Sequence, residues 1–159
     1  MNKKWILAGM AALTAMSVLA GCGTQPDKTP TKTNKPLIVG TEPSFPPFEM
    51  AENDTYTGFD IDLANAIGEK LGRKVEIKAM GFDALIPALK SGQIDMIASA
   101  MSATEERKKQ VDFTAPYYIG GSVIVVQKDN TTIHGWGDIT GKTVAVQAGS
   151  KPADFAEKQ

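Results

Sequence analysis

Two kinds of apolar pattern follow one another along the chain from residue 36 onward. Short apolar runs, which are typical of buried strands, are separated by segments in which apolar residues recur at helical spacing. This alternation predicts an α/β domain with a mostly parallel sheet. The predicted strands are Leu37–Val39, Val75–Ile77, Asp95–Ala98, Val111–Phe113, Ser122–Gln127 and Thr143–Gln147.

The predicted helices are bounded by residue types that favour helix ends. The first helix carries the periodic positions from Phe59 to Leu71, and Gly72 stands where a C-cap glycine is expected. Asp83 is suited to cap a second helix, which is predicted to end at Gly92.

Two later turns also open helices. Ser102 and Glu105 stand three residues apart, which is the spacing of a capping box. Pro152 is tolerated in the first turn of a helix that follows Gly149–Lys151. Residues 42–48 and 136–141 are predicted to be loops because they are rich in turn-forming residues.

The first 21 residues have the three parts of a secretory signal. Lys3 and Lys4 give a basic start, and residues 5–20 carry no charge but are too few for a comfortable membrane span. The string Leu19-Ala20-Gly21-Cys22 closes the segment and resembles the bacterial lipobox. This resemblance implies that residues 1–21 are removed and that Cys22, the only cysteine, receives a lipid.

Residues 23–35 contain no aliphatic or aromatic side chain. The lipidated cysteine is therefore predicted to continue into a flexible tether that ends at residue 35. The whole chain has a formal net charge of −1, and removal of Lys3 and Lys4 makes it more negative. With no basic excess, nucleic acid is not expected as a partner.

Three turns lie where ligands bind in open parallel sheets, beyond the carboxyl ends of the strands. They are the loop at 42–48, the turn at Ser99–Arg107 and the turn at Gly149–Lys151. The two later turns begin helices, whose N-termini attract anions, and Arg107 adds a planar fork suited to a carboxylate. Because there is no glycine-rich phosphate loop, the pattern favours a carboxylate site.

Other kinds of site are not supported by the residues. His134 is the only histidine, so neither a metal site nor a cofactor is expected. The only cysteine is used at the lipid site, and no set of nucleophile and base is apparent.

The candidate residues also have purely structural interpretations. Residues 104–109 have the composition of a solvated helix face. Phe45 and Phe82 fit a hydrophobic core, and Glu42 and Asp60 fit caps or turns. Pattern alone leaves both interpretations open.

Several motifs, taken in order and at their observed spacing over residues 36–150, carry a family resemblance. They are Val39-Gly40-Thr41-Glu42-Pro43-Ser44-Phe45-Pro46-Pro47-Phe48-Glu49, Gly58-Phe59-Asp60-Ile61-Asp62-Leu63, Leu85-Ile86-Pro87-Ala88-Leu89, Thr104-Glu105-Glu106-Arg107 and Phe113-Thr114-Ala115-Pro116-Tyr117-Tyr118. Behind a lipobox, this series resembles the polar-amino-acid solute-binding proteins of bacterial ABC importers.

The resemblance implies a periplasmic-binding-protein-like II clamshell, in which two α/β lobes close on a ligand by a hinge motion. It implies most of lobe 1 at residues 36–120, a hinge-crossing strand at 121–127 and the start of lobe 2 at 128–159. We expect the sequence to lack the rest of lobe 2 and the segment that returns to lobe 1. The acidic residue that pairs with the ligand ammonium belongs to that part, so this chain is expected to bind weakly or not at all.

The resemblance also implies a set of ligand-binding residues. Arg107 grips the α-carboxylate, Phe45 and Phe82 line the side-chain pocket, and Glu42 lies near the distal end of the ligand. The full implied set is Glu42, Phe45, Phe82, Ser99, Ala100, Ser102, Arg107, Gln147, Gly149 and Ser150.

The remaining roles in this set are also carried over from the family. Ser102 assists at the carboxylate, the backbone at Ser99–Ala100 helps with the ammonium, and the N–H groups of the turn at 147–150 close on the carboxylate. Lys151-Pro152 departs from the small or Thr-rich pair usual in the family. Because proline lacks an N–H, this departure puts the last contact in doubt.

The function implied is capture of a polar L-amino acid for a membrane permease by a monomer anchored on the extracytoplasmic face. Glutamine is the first expectation for the ligand, followed by arginine or lysine. Two alternatives remain open. One is an exported enzyme on the same fold, such as a prephenate-type or cyclohexadienyl dehydratase, although Glu42 is the only acid/base candidate. The other is a ligand sensor.

Overall fold

The computed structural model of the chain describes residues 35–53 and 55–158. The predicted signal peptide at 1–21, the lipid site at Cys22 and the tether as far as residue 34 lie outside the described residues. The strands are β1 Leu37–Thr41, β2 Ser44–Phe45, β3 Glu49–Glu52, β4 Thr55–Thr57, β5 Val75–Ala79 and β6 Met96–Ile97. The α-helices are α1 Phe59–Leu71, α2 Leu85–Lys90, α3 Glu105–Lys108 and α4 Lys151–Ala156.

A three-stranded parallel sheet with the order β5-β1-β6 organises the fold, as the alternating pattern predicts. Leu37 lies opposite Val75, and Val39 lies opposite Met96. The central strand β1 is a continuous apolar run because helices cover both faces of the sheet. Since all three strands are parallel, their carboxyl ends share one edge, where ligand sites form in open α/β sheets.

The hydrophobic core lies on both faces of this sheet. On one face, Val39 is fully buried in a cluster with Ala64 of α1. On the other face, Ile38 packs against a cluster that contains Leu85 of α2. Alternate residues of β1 therefore fix α1 and α2 on opposite sides, and this arrangement holds the loops that follow each strand at one edge.

The helix α1 confirms the predicted element at both ends. It runs from Phe59 to Leu71, and Gly72 follows in the left-handed conformation with φ 64°. Its N–H bonds back to the carbonyl of Glu69, as a C-cap requires.

The cap predicted at Asp83 is wrong. Phe82–Ala84 forms a 3-10 helix that runs directly into α2, and no side chain caps that helix. The helix has no separate N-terminus for Asp83 to bind. Its predicted end is confirmed, because α2 ends at Lys90 and Gly92 follows Ser91 in the left-handed conformation with φ 74°, and the N–H of Gly92 donates to the carbonyl of Leu89. The loop predicted at 136–141 is also corrected, since Trp136–Ile139 forms a second 3-10 helix.

A small antiparallel sheet, with the order β2-β3-β4, occupies a region that the sequence analysis treats as a loop. Phe45 lies opposite Glu49, and Met50 lies opposite Thr57. Its strands are short, and Glu49 is a charged residue type that is nevertheless 1% exposed. This polar residue at a buried position hides the alternation by which a strand is recognised.

Three predicted strands are wrong: residues 111–113, 122–127 and 143–147 form no strand. Val123 and Val125 are 79% and 88% exposed. A β-branched run forms a strand only beside a partner that accepts its backbone hydrogen bonds, and no neighbouring strand pairs with these segments in the described part of the chain. Across residues 35–53 and 55–158, no helix is both long and apolar enough to cross a membrane.

Candidate ligand-binding site

The predicted site residues of the parallel sheet follow the carboxyl ends of its strands. Glu42 follows β1, Phe82 follows β5, and the segment from Ser99 to Arg107 follows β6. The turn before α4 reaches the same place, because the carbonyl of Gly149 accepts a hydrogen bond from Arg107. Four stretches that are distant in sequence therefore meet at this edge.

Arg107 is the centre of this arrangement. Its side chain packs over Phe82, with the guanidinium carbon 5.3 Å from the ring centroid. Nη1 donates to the carbonyl of Ser102 at 2.8 Å, and Nη2 donates to the carbonyl of Gly149 at 2.9 Å. Two carbonyls and an aromatic face thus fix the plane of the guanidinium.

The charge of Arg107 has no counter-ion among the described residues. The residue is 7% exposed, and the salt bridges found in this part of the chain are Arg73–Asp95 and Lys108–Glu105. Burial lowers the pKa of the guanidinium, and the more distant Asp154 carboxylate opposes that shift. A buried cation is normally paired with an anion, so this site is electrostatically suited to a carboxylate that comes from outside the chain.

The helix that carries Arg107 is capped differently from the prediction. The N-cap residue of α3 is Thr104, whose hydroxyl accepts from the N–H of Arg107 at 3.3 Å. The capping box expected from Ser102 and Glu105 is therefore wrong, because the helix begins two residues later. This leaves the carbonyl of Ser102 to accept from Arg107.

The turn at Gly149–Ser150 opens the helix α4, as the sequence predicts. Gly149 has φ +69°, and a Cβ at this position would lie 2.9 Å from the Cβ of Asp83. Ser150 is 6% exposed and caps α4 by accepting from the N–H of Ala153 at 3.3 Å. The N–H of Ser150 donates to the carbonyl of Gln147, so it is used within the turn.

A second link between the distant segments joins Gln147 to Glu42. Nε2 of Gln147 donates to Oε2 of Glu42 at 3.0 Å. The hydroxyl of Ser44 lies 2.7 and 2.8 Å from the two oxygens of the same carboxylate. Glu42 therefore holds a carboxylate at the edge of the site without a cationic partner among the described residues.

The two aromatic residues predicted to line the pocket have different neighbours. Phe82 lies under Arg107, whereas Phe45 stacks on Phe48 with ring centroids 5.8 Å apart and planes 12° apart. Phe45 is 52% exposed, so it presents one face to solvent or to a ligand.

The Ser99–Ala100 turn is held from the interior rather than from solvent. Ser99 is 2% exposed; its hydroxyl donates to Oε1 of Glu49 at 3.0 Å and accepts from the N–H of Glu42 at 3.0 Å. The N–H of Ala100 donates to Oδ2 of Asp60 at 2.6 Å. Ala100 has φ +43°, a left-handed conformation that costs roughly 1–3 kcal/mol in a residue other than glycine.

Three residues lie behind this turn. Glu49 and Tyr117 were not predicted as part of the site, and Asp60 was interpreted as a cap or turn residue. Glu49 and Asp60 are both buried, and the hydroxyl of Tyr117 donates to Oδ2 of Asp60 at 2.9 Å. Burial, followed by the Asp60 charge, raises the pKa of Glu49 to about 8, and burial also raises the pKa of Tyr117. The sequence gives little indication of these roles. Asp60 stands in the first turn of α1, where an acidic residue is ordinarily favourable for the helix, so its position does not point to the site.

No group of three or more His, Cys, Asp or Glu side chains suited to a metal ion is found among the described residues. The arrangement can instead hold an organic anion against Arg107 and a polar or cationic group near Glu42. These two charges of opposite sign lie at one edge of the sheet.

Residues 37–158 match the family described as bacterial extracellular solute-binding proteins, family 3. The chain is 44% identical over 148 residues to the arginine-binding extracellular protein ArtP of Bacillus subtilis, an alignment that covers 93% of this chain and 57% of ArtP. It is 41% identical over 158 residues to a probable histidine-binding protein of Campylobacter jejuni, with 98% and 62% covered.

An ancestral arginine-binding protein has the same fold in its complexes with arginine and with glutamine. The TM-score is 0.75 for both complexes, the identities are 53% and 51%, and each alignment covers 79% of this chain and 56% of the other. This likeness confirms the predicted α/β, periplasmic-binding-protein-like fold class. The chain spans between 56% and 62% of the length of these proteins. On the family match and these relatives together, the chain belongs to the bacterial extracellular solute-binding proteins of family 3.

Proposed function

We propose that this chain supplies part of the binding site of an amino-acid-binding protein of an ABC importer, and that it captures a polar L-amino acid outside the cytoplasm. The observation that carries the proposal is Arg107, a buried cation without a carboxylate partner among the described residues. A free amino acid carries the α-carboxylate that such a cation requires. A ligand without this group would leave the charge buried and unpaired, at a high free-energy cost.

The α-carboxylate is assigned to the N–H groups of Arg107 that do not bond to Ser102 or Gly149. Charge-assisted bonds from a fixed guanidinium are about twice as strong as neutral ones. Phe82 supports the guanidinium from below and excludes water from one face. In this proposal the Gly149–Ser150 turn contributes mainly by fixing Arg107, because the N–H of Ser150 is already used.

The ammonium and the side chain of the ligand are assigned to the part of the sheet edge formed by the Ser99–Ala100 turn and the loop that begins at Glu42. The carbonyls of Ser99 and Ala100 are suited to accept from an ammonium, while Phe45 and Phe82 pack against aliphatic carbons. Glu42 and Gln147 lie at the distal end, where a carboxylate and an amide bind each other at 3.0 Å.

Arginine is the ligand that fits the distal end best, which revises the glutamine expectation. Glu42 is a carboxylate that bonds to neutral donors, and a guanidinium would pair with it bidentately. ArtP and the ancestral protein are both named as arginine-binding, which supports this order. Glutamine is the second candidate, because the ancestral protein was also solved with glutamine.

A binding role is favoured over an enzymatic one. Glu49, whose pKa is raised to about 8, is 1% exposed and lies behind the Ser99–Ala100 turn, where it cannot reach a ligand. The relatives compared above are named as binding proteins. The dehydratase alternative therefore has no accessible acid/base pair in the described part of the chain.

The sequence adds three further parts to this proposal. Cys22 carries the lipid that anchors the protein to the membrane after removal of residues 1–21, and residues 22–35 tether it. Residues 36–120 supply lobe 1, 121–127 cross the hinge and 128–159 begin lobe 2 of a monomeric clamshell. A membrane permease is the partner that accepts the captured amino acid.

Of the two expectations for this chain, the proposal commits to weak binding rather than none. The test is an NMR titration of the ¹⁵N-labelled chain, since NMR detects weak as well as tight binding. We expect L-arginine to shift the signals of the Arg107 side chain and of the Gly149 amide. Agmatine has the same guanidinium but no carboxylate, and we expect it to leave both signals in place. Equal shifts with agmatine and L-arginine, or no shift with L-arginine, L-glutamine and L-histidine, would contradict the proposal.

A further inference from the structure

Two carboxyl groups are buried side by side behind the Ser99–Ala100 turn. Glu49 on β3 is 1% exposed, and Asp60 in the first turn of α1 is 0% exposed. Asp60 acts on Glu49 both as a like charge and as a hydrogen-bonding partner. Two adjacent carboxylates cannot both stay ionised away from water without a large electrostatic penalty.

The hydrogen bonds of the pair are asymmetric. Oδ2 of Asp60 accepts twice, from the N–H of Ala100 at 2.6 Å and from the hydroxyl of Tyr117 at 2.9 Å. Oε1 of Glu49 accepts once, from the hydroxyl of Ser99 at 3.0 Å. The second oxygen of each group, Oε2 of Glu49 and Oδ1 of Asp60, is buried without a partner.

We propose that Glu49 and Asp60 share one proton, carried on Oε2 of Glu49 and donated to Oδ1 of Asp60, and that this pair is the positioning element for the Ser99–Ala100 turn. One proton gives both orphan oxygens a partner. Asp60 already accepts from two donors and Glu49 accepts from one, so the proton is placed on Glu49. The effect on ligand binding rests on the proposed function. The sharing of the proton and the positioning of the turn do not depend on it.

The turn needs such an anchor because its conformation is unfavourable. Ala100 has φ +43°, and the bond from its N–H to Asp60 is the shortest of those made by the pair. Ser99 continues the network, since it donates to Glu49 and accepts from the N–H of Glu42. The pair therefore fixes three residues of the candidate site from behind.

Loss of the shared proton would place two anions together, with no cation among the described residues to compensate them. The groups that act on Glu49 are Asp60 of α1, Glu42 after β1 and Ser99 after β6, and Tyr117 bonds to Asp60 from the far side. Asp60 and Glu42 are both acidic residues, and their charges oppose ionisation of Glu49. Burial and Asp60 raise the pKa of Glu49 to about 8, which places the loss of the proton within reach of mildly alkaline pH.

The experiment follows two signals in the ¹³C,¹⁵N-labelled chain as pH rises from 5 to 10. They are the side-chain carboxyl carbon of Glu49 and the amide of Ala100. We expect both to titrate with one midpoint near pH 8. Glu49→Gln replaces the protonated acid by an amide that donates to Asp60, so we expect its Ala100 amide to keep the low-pH position throughout.

Glu52→Gln is the matched control, because it removes a carboxyl from the same strand β3 at an exposed position. We expect it to leave the Ala100 titration unchanged. The wild-type titration decides the proposal even if Glu49→Gln does not fold. A Glu49 carboxyl that ionises below about pH 5, as a free side chain does, would overturn it. So would an Ala100 amide that stays constant while Glu49 titrates.

Ligand affinity adds a separate readout. The quantity measured is the ratio of wild-type affinity for L-arginine to that of Glu49→Gln at the same pH. We expect this ratio to be constant well below the midpoint and about tenfold lower one pH unit above the midpoint. The ratio to the variant cancels ionisation of the ligand itself. If no polar amino acid binds at any pH while Glu49 and Ala100 titrate together, the proposed function fails and the proton-sharing pair is supported. If wild type and variant lose affinity equally while binding persists, the positioning role is contradicted.

Discussion

Nη2 of Arg107 donates a hydrogen bond of 2.9 Å to the carbonyl of Gly149, a residue 42 positions further along the chain. This bond joins the segment that follows β6 to the turn that precedes α4. It matters because a guanidinium held at two points presents its remaining donors in a fixed plane. The Gly149 turn therefore acts on the candidate site through Arg107.

The first prediction concerns Gly149→Ala. The residue has φ +69°, and a Cβ would lie 2.9 Å from the Cβ and 3.1 Å from the Cα of Asp83. We expect the substitution to lower the free energy of unfolding by more than about 1 kcal/mol, because strain in the backbone adds to a steric clash. Chemical denaturation measures the loss, and NMR of the Arg107 side chain reports the displaced turn.

Gly141→Ala is the matched control for this substitution. Gly141 has almost the same backbone angle, φ +71°, but a Cβ there would have no neighbour within 4 Å. We expect about 1 kcal/mol of destabilisation from the backbone alone, because the left-handed conformation is unfavourable for alanine, and no change at Arg107. Equal losses in the two variants would show that the contact with Asp83 has no effect.

The second prediction concerns Arg107→Lys. Lysine keeps the positive charge but has no planar fork, so it cannot bond to Ser102, Gly149 and a carboxylate at once. We expect affinity for L-arginine to fall at least about tenfold, equivalent to about 1.4 kcal/mol. The NMR titration measures it, and Lys109→Ala, which removes an exposed cation nearby, should leave affinity unchanged. Unchanged binding by Arg107→Lys would argue against a bidentate carboxylate contact.

The third prediction concerns ligand choice and Glu42→Gln. Removing this carboxylate should weaken arginine about tenfold or more, because the ligand guanidinium loses its anion. Binding of glutamine should change little, since an amide pairs with either side chain. The ratio of the two affinities is the measurement. A variant that weakens both ligands equally would indicate that Glu42 supports the fold through Ser44 and Gln147 rather than selecting the ligand.

The residues that the sequence located best are those in the turns that follow strand ends and precede helices. Arg107 and Gly149 were predicted from the positions of turns, and both lie at the expected edge of the sheet. The fold class followed from the alternation of β1, α1 and β5. These features depend on local periodicity, which sequence carries directly.

The residues that the sequence missed depend on contacts between distant segments. Glu49 and Asp60 come together only when β3 and α1 pack behind the turn after β6, and nothing in their local sequence signals burial. The strands predicted at 122–127 and 143–147 failed for a related reason, because β-propensity describes a surface that still needs a partner. Local pattern predicts which secondary structure a segment favours, and pairing with distant segments decides whether that structure forms.

The fourth prediction concerns the exposed apolar residues between positions 119 and 125. Ile119, Val123 and Val125 are 92%, 79% and 88% exposed, so the segment offers apolar surface and unpaired backbone for association between copies. We expect Val125→Lys to reduce self-association in analytical ultracentrifugation and to change the free energy of unfolding by less than about 0.5 kcal/mol. Thr131→Lys adds the same charge at another exposed position and should not match this effect. Equal reductions of self-association in both variants would show that the effect comes from net charge rather than from this segment.

The fifth prediction concerns the pH dependence of stability, and Glu49 sets its sign. Its pKa is raised from 4.5 to about 8 on folding, so the folded chain binds more protons than the unfolded chain between these values. Stability from this group is therefore fully present below about pH 4.5 and is lost as pH rises through about 8. The loss approaches about 1.4 kcal/mol per pH unit between these values.

Other carboxyl groups act in the opposite direction at acid pH. Hydrogen bonds from the N–H of Ile38 and of His134 lower the pKa values of Asp95 and Asp138, so their contributions are lost as pH falls. The contribution of Glu49 is isolated by measuring urea unfolding of wild type and Glu49→Gln from pH 5 to pH 9. We expect the wild-type curve to fall toward alkaline pH relative to the variant, with the difference levelling off above the midpoint. Parallel curves would show that Glu49 releases its proton equally in the folded and unfolded chains, which its burial against Asp60 makes energetically unfavourable.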